Sequence, residues 1–316
     1  MSTLSPARFS LVIATRRRPD RLAAALASLA ACRPGPAELI VVDGDEAQSA
    51  RAVVEVHAKG VAPAVVRYEP AAPGLTRQRN RGIDLAEGDV VVFADDDVEF
   101  TPDLFAQLAT AYADPSVAGA TARYDEPGLR RAGGATRWVR RLVAGRGAQG
   151  TMTAAGYPRR LTDLEQERDI EFMHGCLMSA RRELAASIRF DEALSGYGLA
   201  EDEDFGYRLS RAGRVRYVAG ARVVHHADGI GSSRRHDFNR QLVVNRAYLF
   251  RKNFATSPGA RAQFAAMVAL LVGHRLAHRS WAGARGLLAG AREAWALRRV
   301  TPAGPSAADA EALGRP

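Results

Sequence analysis

Cysteine is scarce in this sequence, and long apolar runs are absent. Cys32 and Cys176 are the only cysteines in 316 residues, which excludes a disulfide framework and a CxxC metal site. The same scarcity predicts a reducing, cytoplasmic setting. The longest apolar run, residues 264–273, is about half the ~20 residues of a membrane-spanning helix. The apolar residues that precede Thr15 resemble a first β-strand more than a signal peptide.

Lysine is nearly absent, and the positive charge is unevenly spread. All 44 basic residues except Lys59 and Lys252 are arginine. The positive charge therefore has two explanations: a compositional bias of the source, or binding of an anionic partner. From residue 211 onward, 18 basic residues accompany five acidic ones, which predicts an anionic partner such as phosphate groups or acidic lipids. A nucleic acid is not expected, because neither a zinc pattern nor interleaved aromatic residues accompany the charge.

Strand-like and helix-like segments alternate through the first 112 residues. The strands are near-continuous runs of Val, Ile and Leu, which is typical of parallel strands buried on both faces. We therefore predict an α/β fold with a mostly parallel sheet and helices on both faces. The predicted strands are 9–14, 38–43, 64–69 and 90–93. The first predicted helix begins at Pro19, and three more are predicted at about 47–58, 75–86 and 102–112.

The alternation stops in the Gly- and Arg-rich stretch 123–168, which we predict to be a long loop or insertion. Further along, two short strands are expected at 215–218 and 221–226, and helices at about 236–254, 259–275 and 280–299. The predicted organisation is a catalytic domain over 1–230, a helical extension over 231–300 and a disordered tail over 301–316.

Three carboxylates follow the buried strand that ends at Phe93, namely Asp95, Asp96 and Asp97. Adjacent like charges repel and are costly to bury unless a cation lies between them. The triplet is therefore either a solvated turn before the next helix or a site for a hard divalent cation. Ligands of open α/β sheets bind beyond the carboxyl ends of the strands, where these residues lie.

A second acidic cluster, "AEDEDF", contains Glu201 and Asp202. A carboxylate beside another carboxylate binds a proton more tightly, which suits a general base. The alternative is ordinary acid at the start of a helix, where negative charge is favourable.

Five segments resemble family 2 glycosyltransferases of the GT-A fold in their order and spacing. They are "VIATRRRPDRL", "LIVVDGD", "PGLTRQRNRGIDLAEGDVVVFADDD", "AEDEDFGYRL" and "VVHH". The resemblance covers residues 9–226 and implies a Rossmann-like sheet, with a nucleotide-sugar half over about 1–120 and an acceptor half over about 121–230. It also implies inverting transfer of a sugar from a nucleotide-diphospho-sugar donor to an acceptor hydroxyl, with Mg²⁺ or Mn²⁺ as cofactor.

The resemblance assigns roles to the acidic residues. Asp97 would be the metal ligand, Asp95 would face the nucleotide, and Asp96 would help either. Asp202 would be the catalytic base, with Glu201 supporting it. His225 would be a further metal ligand, with His226 and a purely structural histidine pair as alternatives.

Nucleotide contacts are implied for Thr15, Arg18, Asp43 and Arg79. Arg79 would meet the diphosphate or order the aspartates, and an ordinary solvated helix face is the alternative. The family pattern has a Tyr and an Asn between Thr15 and Arg18, and a Ser after Asp43, all of which this sequence lacks. These departures leave the identity of the nucleotide base open.

Two other functions are considered. A sugar-phosphate nucleotidylyltransferase would need a Gly-rich N-terminal loop, which is missing, and a non-catalytic nucleotide-sugar-binding protein would not need Asp97 and Asp202. The acceptor is undefined and includes glycans, lipid-linked intermediates and small molecules.

The basic C-terminal helices either pack on the core or form an interfacial pair on the inner face of a membrane. One of them carries Trp281, Leu287, Leu288 and Trp295 as its expected apolar side.

Overall fold

The computed structural model describes residues 7–61, 65–127, 134–161, 164–194, 199–226 and 234–296. The chain divides into two compact units. The first comprises Met1–Gly128 and Thr162–Ala227, and the second comprises Leu129–Leu161 and Asp228–Pro316. The predicted acceptor half, 121–230, therefore contributes to both units. The tail 301–316, predicted to be disordered, lies outside the described residues.

Over the described residues, the first unit contains a nine-stranded sheet of order β3-β2-β1-β4-β8-β6-β9-β5, with β7 beside β9. Strands β3, β2, β1 and β4 are parallel, as are β6 and β9, whereas β5, β7 and β8 pair antiparallel to their neighbours. The strands are β1 Phe9–Thr15, β2 Glu38–Asp43, β3 Val65–Pro70, β4 Val90–Asp95, β5 Val98–Phe100, β6 Val117–Asp125, β7 Arg168–Ile170, β8 Leu177–Arg181 and β9 Arg214–His225.

Helices flank this sheet in the first unit and build the second unit. Those of the first unit are α1 Pro19–Leu29, α2 Arg51–His57, α3 Leu75–Leu85, α4 Leu104–Tyr112, α6 Arg182–Ile188 and α7 Glu201–Ala212. Those of the second unit are α5 Gly134–Ala144, α8 Arg235–Asn253, α9 Pro258–Ala277 and α10 Trp281–Ala296. No described helix has both the length and the apolar character needed to cross a bilayer.

Strand β1 shows that both faces of the sheet are covered, as the sequence predicted. Leu11 and Ile13 point to one face, where they join a buried cluster with Phe105 of α4. Val12 points to the other face, where α3 comes so close that a Cβ on Gly82 would lie 2.2 Å from Cγ1 of Val12. Gly82 therefore permits the close approach of α3 to the centre of the parallel sheet.

The predicted loop 123–168 and the two strands after it need correction. The loop contains helix α5, and one continuous strand, β9, covers 215–225 in place of the two predicted strands. Strand β6 was not predicted, because its residues are mostly small and have low strand propensity. Their size is required by packing: a Cβ on Gly119 of β6 would lie 2.4 Å from Cδ2 of Leu209 in α7.

In the second unit, α10 packs on α8 through small residues. A Cβ on Gly286 would lie 2.2 Å from the carbonyl oxygen of His236, and one on Gly290 would lie 2.4 Å from that of Arg240. The predicted apolar side of α10 is thus divided, because Leu287 is buried whereas Trp281, Leu288 and Trp295 are exposed.

Candidate functional site

Parallel pairing brings the ends of β1, β2 and β4 to one edge of the sheet. In the register, Thr15 lies beside Asp43 on one side, and Ala14 lies beside Asp95 on the other. The side chains that follow these strands therefore share one edge, where ligands of open α/β sheets bind.

Asp96 and Asp97 are held by Arg18, which follows β1. The guanidinium of Arg18 donates to Asp97 Oδ2 at 2.7 Å and lies 2.7 Å from Asp96 Oδ1. The hydroxyl of Thr15 donates to the other oxygen of Asp96 at 2.7 Å. Burial raises the pKa of Asp96 to about 6, although Thr15 and Arg18 stabilise its charged form. The triplet is thus a partly buried, paired cluster rather than a solvated turn.

Asp95, Asp97 and His225 form a group suited to a metal ion. Each offers one ligand atom, and these atoms all lie within 4.8 Å of one another. Asp97 Oδ1 is buried, makes no hydrogen bond, and lies 3.3 Å from His225 Nε2. Two carboxylates with an imidazole suit Mn²⁺ or Mg²⁺. The residues therefore fit a divalent cation.

Strand pairing decides which of the two histidines reaches this group. Val98 of β5 lies opposite His225 of β9, and the backbone N–H of His226 donates to the carbonyl of Asp97 at 2.9 Å. Because side chains alternate along a strand, His225 faces the aspartates. His226 instead has its Nε2 atom 2.9 Å from Glu99 Oε2.

The pairing of Asp97 with its neighbours shifts two pKa values in opposite directions. Burial alone raises the pKa of Asp97, but His225 and Arg18 lower it to about 2. Burial alone lowers the pKa of His225, but Asp97 and Glu126 raise it to about 10. The group therefore strongly favours a positive charge between its carboxylates.

Arg79 joins the acidic triplet to the second acidic cluster. It is almost completely buried on α3 and donates to Glu201 Oε1 at 2.8 Å, to Asp95 Oδ1 at 2.9 Å and to the carbonyl of Gly175 at 3.0 Å. A buried guanidinium with these partners is a fixed bridge between carboxylates rather than a solvated helix face. Arg79 therefore contacts Asp95 of the triplet, and its predicted contact with a diphosphate stays a prediction.

Asp202 lies at the start of α7 and is the most accessible acid of its cluster, since Glu201, Glu203 and Asp204 are buried. Its carboxylate accepts hydrogen bonds from the backbone N–H groups of Gly175 and Glu203, each at 2.8 Å. Asp204 is directed inward, where Arg208 donates to it at 2.8 Å. One acid of the cluster thus stays partly exposed, whereas a neighbouring acid is buried and stabilises the helix.

Burial sets the proton affinity of this cluster. Burial and the nearby Glu203 raise the pKa of Asp202 to about 6. Burial and Asp202 raise the pKa of Glu201 to about 8, against the attraction of Arg79. Carboxylates with raised pKa values near neutrality suit proton transfer.

Asp43, predicted to contact the nucleotide, is completely buried at the end of β2. Its carboxylate accepts hydrogen bonds from the backbone N–H groups of Asp45 at 2.9 Å and Ala50 at 3.2 Å, and from the hydroxyl of Tyr68 at 2.8 Å. These bonds fix the turn that follows β2, and direct contact between Asp43 and a nucleotide stays a prediction.

Two residues of the site were not predicted from the sequence. Glu126 lies just after β6, with Oε1 3.1 Å from His225 Nδ1. Gly175 lies between β7 and β8, where its N–H group contacts Asp202 and its carbonyl contacts Arg79. Had β6 been recognised, Glu126 would have been identified as another acid at a strand end, whereas no sequence signal marks Gly175.

Residues 10–189 match the model of the family described as "Glycosyl transferase family 2". The chain belongs to glycosyl transferase family 2. The resemblance noted from the sequence is confirmed, and the protein is a glycosyltransferase. The family match therefore contradicts the alternative prediction of a sugar-phosphate nucleotidylyltransferase. No curated protein matches the sequence significantly.

Three solved structures with a similar fold illustrate the likeness at low sequence identity. The mannosyltransferase PcManGT from Pyrobaculum calidifontis, in complex with GDP-Man and Mn²⁺, is 17% identical with a TM-score of 0.59 over 93% of this chain and 90% of its own. GalNAc-T7 with UDP, GalNAc and Mn²⁺ is 18% identical with a TM-score of 0.56 over 82% of this chain and 52% of its own. S. aureus TarS 1-349 in complex with UDP-GlcNAc is 17% identical with a TM-score of 0.52 over 87% of this chain and 73% of its own. These likenesses confirm the GT-A fold.

Proposed function

We propose that this family 2 glycosyltransferase transfers a sugar, with inversion, from a nucleotide-diphospho-sugar to an acceptor hydroxyl in a metal-dependent reaction. The observation that carries the proposal is the pair of acidic groups joined by Arg79. One group suits a cation, and the other presents Asp202 with a pKa of about 6. Binding of nucleotide sugars and Mn²⁺ by the similar structures supports the same assignment.

The donor would bind at the strand-end edge. Arg18 lies there with about a third of its side chain exposed, beside Asp96 and Asp97. A partly exposed arginine can turn one face of its fork to a phosphate while keeping a carboxylate on another. In this proposal Thr15 orients Asp96, and Asp43 shapes the turn beside the base.

Asp95, Asp97 and His225 would hold Mn²⁺ or Mg²⁺. When bound, such an ion neutralises the charge that develops on a leaving diphosphate. The protein contributes the geometry: β5–β9 pairing places His225 beside Asp97, and Arg79 fixes Asp95.

Asp202 would act as the general base. Its carboxylate takes the proton of the acceptor hydroxyl as that oxygen forms a bond to the anomeric carbon and the bond to the diphosphate breaks. The N–H groups of Gly175 and Glu203 orient the carboxylate, and Glu201 with Arg79 supports it from the buried side. Attack from the face opposite the leaving group inverts the anomeric configuration.

The acceptor and the location are part of the same proposal. Lipid-linked intermediates, glycans and small molecules all supply a suitable hydroxyl. We place the protein in the cytoplasm, with the basic C-terminal helices in contact with the inner face of a membrane.

The proposal is tested by thermal-shift titration with UDP, GDP and dTDP, each with and without Mn²⁺. The variants are Asp97→Asn and a surface control, Asp103→Asn, whose side chain is exposed at the start of α4. We expect one nucleotide to raise the melting temperature only with Mn²⁺, and we expect Asp97→Asn alone to abolish the shift.

The nucleotide identified in this way selects the donor sugars for turnover assays with NMR detection of the anomeric product. Absence of any nucleotide-dependent shift in the wild type would remove the donor site from the proposal. Retention of the anomeric configuration would exclude Asp202 as the base of a single displacement.

A further inference from the structure

Helix α10 has an unusual distribution of side chains. Its buried face, against α8, is built largely from small residues: Gly283, Ala284, Gly286, Gly290 and Ala294. Its large apolar side chains point the other way, with Trp281, Leu288 and Trp295 exposed by 62%, 47% and 66%. An ordinary surface helix buries its large apolar residues and exposes polar ones. The packing inside the unit therefore leaves about half or more of each of these three side chains exposed.

The large exposed residues of α10 form one line. Trp281, Leu288 and Trp295 are spaced seven residues apart, which keeps them on one face of a helix. Arg285 and Arg292 are also exposed and lie between them in the same line. We call these five residues the α10 stripe. Its tryptophans and leucine supply apolar surface, and its arginines supply positive charge along the whole length of the helix.

The α10 stripe itself contains no carboxylate. The single carboxylate of α10, Glu293, is paired with Arg240 of α8 at 2.6 Å. Over residues 234–296 the sequence has eleven basic residues and two acidic ones. A complementary surface must therefore be negatively charged and must also accept apolar side chains.

Helix α5, in the same unit, repeats this composition. Val143 is buried in a cluster with Met267 of α9, whereas Trp138 and Leu142 are exposed by 62% and 46%. Arg137 and Arg141 are spaced four residues apart, as Trp138 and Leu142 are, and they are also exposed. Helix α5 contains no acidic residue. Every tryptophan of the protein is thus exposed on one of these two arginine-flanked helices.

We propose that the α10 stripe, together with the exposed face of α5, docks onto the surface of an anionic lipid bilayer. The helices lie in the interface, where tryptophan rings are favoured and arginines meet lipid phosphates. A second copy of the chain fits less well, because a symmetric contact through the α10 stripe would bring Arg285 and Arg292 against arginines. The inference rests on the membrane contact included in the proposed function and names the residues that make it, but it does not depend on the assignment of the catalytic residues.

The tryptophans provide a direct test, since all of them lie on the proposed surface. The full-length protein is titrated with vesicles of phosphatidylcholine alone and of phosphatidylcholine with phosphatidylglycerol. Intrinsic fluorescence and co-sedimentation are both measured. We expect binding and a blue shift only with the anionic vesicles, and weaker binding as salt is raised.

Variants separate the apolar and charged contributions. Trp281→Ala with Trp295→Ala is compared with Val56→Ala, which removes an exposed apolar side chain from α2 of the first unit. Arg285→Glu with Arg292→Glu is compared with Arg211→Glu, at the exposed end of α7. We expect at least a fivefold loss of vesicle affinity for each substituted arginine, since each contributes about fivefold near an anionic surface. The tryptophan pair should lose about tenfold or more, and both controls should bind like the wild type.

Several outcomes would overturn the proposal. Failure of the wild type to bind anionic vesicles would do so, as would equal binding by the variants and their controls. If sedimentation equilibrium without lipid shows a dimer that Trp281→Ala with Trp295→Ala dissociates, the α10 stripe is a contact between copies instead. Because the same variants should keep the nucleotide-dependent thermal shift, failure of this proposal is distinguishable from failure of the catalytic one.

Discussion

Glu126 Oε1 lies 3.1 Å from Nδ1 of His225, on the opposite side of the imidazole ring from Asp97. A carboxylate on the far nitrogen fixes the orientation and tautomer of a histidine that binds a metal through the other nitrogen. Glu126 is therefore expected to position His225 without contacting the ion itself.

Glu126→Gln should weaken Mn²⁺ binding by about 10- to 100-fold, because the ring of His225 loses its fixed orientation. The matched control is Glu99→Gln, which removes the equivalent partner of His226 and should leave Mn²⁺ affinity unchanged. Titration calorimetry, or electron paramagnetic resonance of free Mn²⁺, measures the affinity without turnover. Equal affinities for the two variants would show that Glu126 does not position the ligand.

Asp202→Asn should lower kcat by about 10²- to 10⁴-fold while nucleotide binding persists. The amide keeps the size of the side chain but cannot accept the proton of the acceptor. Turnover and the nucleotide-dependent thermal shift are measured on the same preparation. Near-normal turnover with Asn at this position would transfer the role of base to another group.

The pH dependence follows from the raised pKa of Asp202. Burial and Glu203 raise that pKa to about 6, and only the carboxylate form can accept a proton. We therefore expect kcat/KM to fall tenfold per pH unit below about pH 6, whereas an unperturbed aspartate would lose activity only near pH 4. A profile that stays flat down to about pH 5 would contradict this assignment.

Asp204→Asn should reduce stability instead of catalysis. Its carboxylate is completely buried and accepts two hydrogen bonds from Arg208, so the substitution should cost about 1.5–3 kcal/mol of unfolding free energy. Urea denaturation measures that loss, and kcat of the folded fraction should match the wild type. Because Asp202 is only two residues away, comparing the two variants distinguishes the role of a partly exposed acid from that of a buried one.

Gly82→Ala should destabilise the first unit by about 1–3 kcal/mol, because its Cβ would lie 2.2 Å from Cγ1 of Val12. The double variant Gly82→Ala with Val12→Ala should lose less than the sum of the single losses, since the second substitution removes the clash. Strict additivity in a urea-denaturation cycle would show that α3 has moved away from the sheet.

Much of the first unit could be predicted because its strands carry their signal locally. Strands β1, β2 and β4 are mostly apolar, and parallel pairing places their polar last residues, Thr15, Asp43 and Asp95, at one edge of the sheet. Strand β6 could not be predicted, because its small residues reflect contact with Leu209 of α7, almost a hundred residues away in the sequence.

The functional site also contains both residues that the local sequence identifies and residues that only the fold brings in. Asp95, Asp96 and Asp97 are adjacent in the sequence, so their chemistry was evident before their geometry. Glu126 and Gly175 belong to the site only because distant segments pair, as β6 does with β9.

Helix α10 was misjudged for a related reason. The sequence shows Leu287 and Leu288 as equivalent apolar neighbours, and only the close approach to α8 at Gly286 and Gly290 buries one and exposes the other.

The short pairing of β5 with β9 has a consequence for how this protein can vary. His225 meets Asp97 because Val98 lies opposite it and because the N–H of His226 is bonded to the carbonyl of Asp97. A deletion or insertion of one residue in either strand would turn the imidazole away and offer the pocket a neighbouring side chain. Substitutions around the site can therefore accumulate one at a time, whereas a change in the length of β5 or β9 would remove His225 from the group in a single step.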